Sequence, residues 1–158
     1  MSLFEDDRYE YRETCFVIFP SENRPGVEVL LAALEGLGDR YRVSAPERTP
    51  DGEFDSVSIR CPFDRSAMDI SYVSGDDVRD QVGEWREEFR QFTLSDTDLA
   101  KLETMERYES RFDIFHFEQR PTDSEEDAMD PGALLIVLER LAELTGGIGV
   151  DPQSATLI

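Results

Sequence analysis

His116 is the one histidine of the chain, and Cys15 and Cys61 are its two cysteines. An imidazole titrates near neutral pH, so His116 is the natural candidate for a general base or a metal ligand. It also has an ordinary reading, as a strand residue between Phe115 and Phe117 that is hydrogen-bonded locally. A Cys–His pair with Cys15 or Cys61 stays open. Neither cysteine, however, stands at the start of a helical pattern or among cations that would make its thiolate reactive. One histidine and two scattered cysteines do not make a structural zinc site, whereas a purely carboxylate-ligated Mg²⁺ or Ca²⁺ stays open. The expectation is therefore no resident metal and no cofactor.

Other stretches carry weaker signals. The acidic run Asp123-Ser124-Glu125-Glu126-Asp127 offers Asp123, Glu125, Glu126 and Asp127 to a cation or a basic partner. It lacks the glycine and the ligand spacing of a calcium loop, and reads as a solvated tether. Asp51-Gly52-Glu53-Phe54-Asp55 fails the same spacing test. Phosphate favours the start of a helix, but Gly146-Gly147 follows one. The loop Ser21 to Gly26 does precede a helix and holds Arg24, yet Glu22 opposes an anion and Pro25 removes a donor. No nucleophile elbow or paired-carboxylate spacing stands out. Ser56, Ser58, Arg60, Asp69 and Ser71 alternate with apolar residues, which makes Arg60 and Asp69 candidates for a contact surface on the polar side of a hairpin.

These residues need elements to position them. Thr14 to Phe19 is a continuous apolar run, the pattern of a central strand. Pro25 opens a helix with Val27, Leu30, Leu31, Leu34 and Leu37 at helical spacing, and Gly38 suits its stop. Arg40 to Ala45 is a second strand. Phe54 to Cys61 and Ser66 to Val73 alternate in period two and are joined by Pro62 to Arg65, which predicts a hairpin with one covered face. Val78, Val82, Trp85, Phe89 and Phe92 form one helical stripe, read as core rather than as an aromatic contact surface. Ser95 and Asp98 form a capping box ahead of Leu99, Leu102 and Met105. Phe112 to Phe117 is another strand. Asp130-Pro131 starts the most apolar helix, and the last residues form a short hairpin.

This order predicts an α+β fold: a two-layer sandwich, related to ferredoxin-like folds, whose mixed, mostly antiparallel sheet carries helices on one face. A three-layer α/β arrangement is the alternative. The expected organisation is a flexible N-terminal segment over residues 1–13 and a single domain over residues 14–158.

The composition restricts partners and habitat. The 158 residues hold 36 acids against 16 cations, a net charge of −20, and Lys101 is the sole lysine. Nucleic acid and anionic membranes need clustered cations and are excluded as partners. No secretory leader or membrane-spanning run is visible, so the expected location is cytoplasmic. The acids are spread along the chain, which suits a solvation coat in strong brine, where screening shortens to ~3 Å at 1 M salt. An acidic face for a basic partner is the competing reading.

At the C-terminus, a Leu-rich helix from Leu138 runs through Thr145-Gly146-Gly147 into Ile148 and an Asp151-Pro152-Gln153-Ser154 turn. This ending resembles that of uncharacterised bacterial α+β domains, some of them immunity-type proteins. The resemblance implies protein binding and carries no catalytic residue. Taken together, the sequence points to a small domain acting through a protein partner or a homodimer, by its sheet face or an edge strand. A small hydrolase or isomerase using His116, and an acidic inhibitor of a basic partner, are the alternatives.

Overall fold

A computed structural model describes residues 2–121 and 129–158. The fold is α+β, with one eight-stranded antiparallel sheet and four α-helices among the described residues. The strands are β1 (Tyr9–Phe19), β2 (Arg42–Val43), β3 (Glu47–Arg48), β4 (Phe54–Cys61), β5 (Ser66–Ser74), β6 (Ser110–Gln119), β7 (Ile148–Asp151) and β8 (Thr156–Leu157). The helices are α1 (Val27–Glu35), α2 (Asp76–Phe89), α3 (Asp96–Met105) and α4 (Gly132–Thr145). No helix among the described residues is long and apolar enough to cross a membrane.

The sheet runs β2-β4-β5-β6-β1-β7-β8, and β3 also pairs with β4. Every ladder among the described residues is antiparallel, where the sequence reading expected a mixed sheet. The reason is topological. The connection from β6 through α4 to β7 joins two strands of the same direction, but β1 lies between them. Likewise α1 carries the chain from β1 to the far edge, so parallel strands never become neighbours.

Strand alternation sorts the core. Cys15, Val17, Phe19, Val57, Ile59, Met68, Ile70, Phe112 and Ile114 point to one face, and α1 and α4 cover it with Val27, Leu30, Leu34, Leu134, Val137, Leu138 and Leu141. This is the sandwich of sheet and helices. Each such large apolar side chain contributes about 1.5–3 kcal/mol by leaving water. A smaller core uses the other parity: Ile18, Ile148 and Val150 pack with Val78, Val82, Trp85 and Phe89 of α2 and with Leu102 and Met105 of α3. Phe92 falls beyond the end of α2 and is exposed, so it is not part of that stripe.

The N-terminal residues sit differently from the flexible segment expected. Leu3–Glu5 form a 3-10 turn, Leu3 is fully buried with Tyr9, Ala67 and Phe117, and β1 already begins at Tyr9. The ladder with β6 runs from Tyr9 opposite Gln119 to Phe19 opposite Ser110, with a register shift between Tyr11 and Glu13. That bulge inserts one residue and breaks period two, which hides the outer half of the strand in the sequence.

Both sheet edges are blunted. At one end Pro46 separates β2 from β3, so the outer edge of β4 is covered by two short pieces. At the other end β8 is two residues long. Short, proline-broken edges do not template a further strand.

Candidate functional site

On the sheet face opposite α1 and α4, two cross-strand pairs lie side by side: Ser56 opposite Ser71 and Ser58 opposite Asp69. Directly opposed residues of an antiparallel pair share a face, and these are small and polar. Where larger side chains would fill the surface, serines leave a groove of about 510 Å³, bordered by Ser44 and Glu47 on one side and by Phe4 and Phe115 on the other.

The N-terminal turn builds one wall of this groove, and Asp69 holds it there. Asp69 Oδ2 accepts from the Ser2 hydroxyl at 2.9 Å and from the Leu3 amide at 2.9 Å, while Oδ1 accepts from the Ser58 hydroxyl at 2.6 Å. Ser2 Oγ in turn accepts from the Phe4 amide at 3.2 Å, capping the turn. Asp6 takes a two-pronged contact from the Arg8 guanidinium at 3.0 and 2.7 Å, which holds its carboxyl down to about 2. Arg60 lies 3.9 Å from the same carboxylate. Arg60 and Asp69 are thus brought to one surface, where both fasten the N-terminal segment. The expected contact residues Asp123, Glu125, Glu126 and Asp127 lie outside the described residues.

Beside the groove stands an aromatic group. The Phe4 ring lies 5.4 Å from Tyr11, 5.5 Å from Phe115 and 4.8 Å from Phe117. Phe4 is 57% exposed and Tyr11 45% exposed, so both side chains are open to solvent on part of their surface. The Tyr11 hydroxyl is paired with the Thr14 hydroxyl at 2.6 Å.

His116 lies on the opposite face and is 0% exposed. Its Nε2 is 2.8 Å from Ser66 Oγ, and its Nδ1 is 3.7 Å from Glu13 Oε1, without a hydrogen-bond partner. The order serine, imidazole, carboxylate is that of a hydrolytic triad. Accessibility is not: Ser66 is buried too, and neither the serine groove nor the smaller concavity at Arg40, Arg42 and Phe63 is lined by Ser66 or His116. Burial lowers the imidazole to about 4, with Arg12 adding to the shift, so the ring is neutral at pH 7. The carboxylate is too distant to reverse this.

The cysteines are buried and free, and burial pushes both thiols up to about 12. Neither is a ready nucleophile. Among the described residues no group of three or more His, Cys, Asp or Glu side chains gathers to hold a metal ion.

Reading the sequence alone missed Phe4, Tyr11 and Phe115 as surface residues beside the polar strands. A signal was present in Phe112 to Phe117, where aromatic residues fall on both parities. A strand apolar on both sides needs cover on both, and Leu3 and Phe4 supply it here.

Comparison with protein-family models, with curated proteins and with solved structures gives no match.

Proposed function

We propose that the protein is a small, non-enzymatic binding module, and that its working surface is the serine-floored groove over β4 and β5, occupied by a segment of another protein. The observation that supports this reading is the groove itself: a serine-floored channel flanked by exposed aromatic rings, held in shape by the Asp69 network. Exposed aromatics next to polar groups are the residue types on which interfaces concentrate binding energy. The blunted edges argue against strand addition, so the face is preferred to an edge. A second copy is a poor occupant, because each chain brings a net charge of −20. On this reading the protein works in the cytoplasm, without nucleic acid or membrane as a partner, and its acids elsewhere form a solvation coat. The hydrolase reading loses support because Ser66 and His116 are both buried and line neither the serine groove nor the concavity at Phe63.

Photo-cross-linking from single positions tests the proposal. A cross-linking side chain at Ser56 or Ser71 should trap one discrete protein in a lysate of the native host, and the same probe at Glu139 on the outer side of α4 should not. Ser71→Arg, which fills the groove at a half-exposed site, should abolish the adduct without lowering the thermal midpoint. Equal trapping from Glu139, or none from the groove, overturns the reading.

A further inference from the structure

Four aromatic rings of the described residues carry one of the chain's own arginines over or beside them. The Arg24 guanidinium lies 3.7 Å from the centre of Tyr72, and Arg40 lies 3.7 Å from that of Phe63, which remains 73% exposed. Arg111 sits at 5.0 Å over Phe16, and Arg8 and Arg60 stand at 5.7 and 5.9 Å from Tyr9. Among the described residues no guanidinium of the chain lies over the exposed Phe4, Tyr11 or Phe92, and of these three Phe4 lines the groove, with Tyr11 against it. The neighbouring arginines are committed, since Arg8 and Arg60 both face Asp6.

We infer that the exposed Phe4–Tyr11 ring pair at the wall of the groove is the seat for an arginine side chain presented by the partner. This rests on the binding-module reading above and names the chemistry of its occupant. The ring faces carry negative quadrupole density and attract a cation. Glu5 follows Phe4 in the chain and is exposed, and Glu47 is exposed at the opposite border of the groove. A cation at the rings is drawn by the field of a chain of net charge −20. The planar guanidinium fits this seat better than an ammonium does. It stacks on a ring while its edge donors reach a carboxylate, and it is more weakly hydrated.

Three short peptides test the inference: acetyl-Gly-Ser-Arg-Ser-Gly-amide and its lysine and citrulline counterparts, titrated into the ¹⁵N-labelled full chain and followed by amide shifts. The arginine peptide should bind about two- to fivefold more tightly than the citrulline peptide, the range expected of an exposed cation–π contact, with the lysine peptide between the two. The citrulline peptide, which keeps the shape and loses the charge, should bind weakest. Shifts should centre on Phe4, Tyr11, Ser71 and Phe115, and Phe4→Leu should erase the arginine preference while leaving the spectrum folded. Equal affinity for arginine and lysine, or shifts centred on the acidic outer surfaces of α2 and α3, overturns the inference. If the peptides miss the groove while cross-links from Ser56 and Ser71 persist, the partner chemistry is wrong and the binding-module reading stands. If the cross-links also fail, that reading falls with it.

Discussion

Ser2 and Asp69 are 67 residues apart in the chain, and the hydroxyl of one donates to the carboxylate of the other at 2.9 Å. The same carboxylate accepts from the Leu3 amide and the Ser58 hydroxyl. One buried acid therefore joins the N-terminal turn to the sheet and gives the groove its wall. Asp69→Asn keeps the shape but loses the charge, and the new amide group places a donor where donors already point. The expected cost is about 1–3 kcal/mol in urea unfolding. Amides of residues 3–8 should lose protection from hydrogen exchange well before those of β5. Unchanged protection at Leu3 would show that apolar burial alone holds the segment.

His116 supplies a pH signature. Its ring is lowered from 6.5 to about 4 by burial in the folded protein. Between those values the unfolded chain binds a proton that the folded chain refuses. Stability is therefore full above about pH 6.5, falls as the pH drops through this window, and levels off for this residue below about pH 4. The loss amounts to about 3 kcal/mol. His116→Gln retains a group that can bond to Ser66 and does not titrate. Its denaturation midpoint should be flatter than the wild type's across this window, and parallel curves would refute the assignment.

The buried thiols predict slow chemistry. With both pushed up to about 12, Cys15 and Cys61 should resist iodoacetamide at neutral pH in the folded protein and react within minutes in denaturant. Fast labelling of either in native buffer would point to local opening of the sheet.

Gly147 stands where the chain leaves α4 and enters β7. A Cβ there would come within 2.9 Å of Phe19 Cβ and of Thr145 Oγ1, and closer still to the Ile18 carbonyl oxygen. The obstruction is backbone, so it cannot swing away. Gly147→Ala should cost at least about 1–3 kcal/mol, read as a lowered urea midpoint. Gly83→Ala, inside α2 with nothing within 4 Å of the added carbon, is the matched control and should be neutral or slightly stabilising.

The net charge of −20 predicts a strong response to salt. Raising KCl from about 0.1 M to about 2 M shortens the screening length from ~10 Å to under ~3 Å and weakens repulsion among the acids. The thermal midpoint should climb steadily over that range. A flat response would mean that the Arg–carboxylate pairs, such as Arg86 with Glu103 and Glu106, already offset the repulsion.

The sequence by itself determined which local segments pair and which coil. The hairpin of β4 and β5 follows from period two on either side of Pro62 to Arg65, and α2 and α4 follow from apolar residues at helical spacing. The ending of α4 was legible in Gly146, which takes the left-handed conformation at φ 63°. These features are local, because hydrogen bonds and alternation operate over a few residues. Only the tertiary structure decided the groove. Its floor comes from β4 and β5, its wall from a turn before β1, and its aromatic flank from β1 and β6. The bulge between Tyr11 and Glu13 masked the outer half of β1, and nothing in the spacing of Asp69 marks Ser2 as its partner. A juxtaposition across 67 residues is set by strand order and register, and the charge and pattern of short stretches do not carry that information.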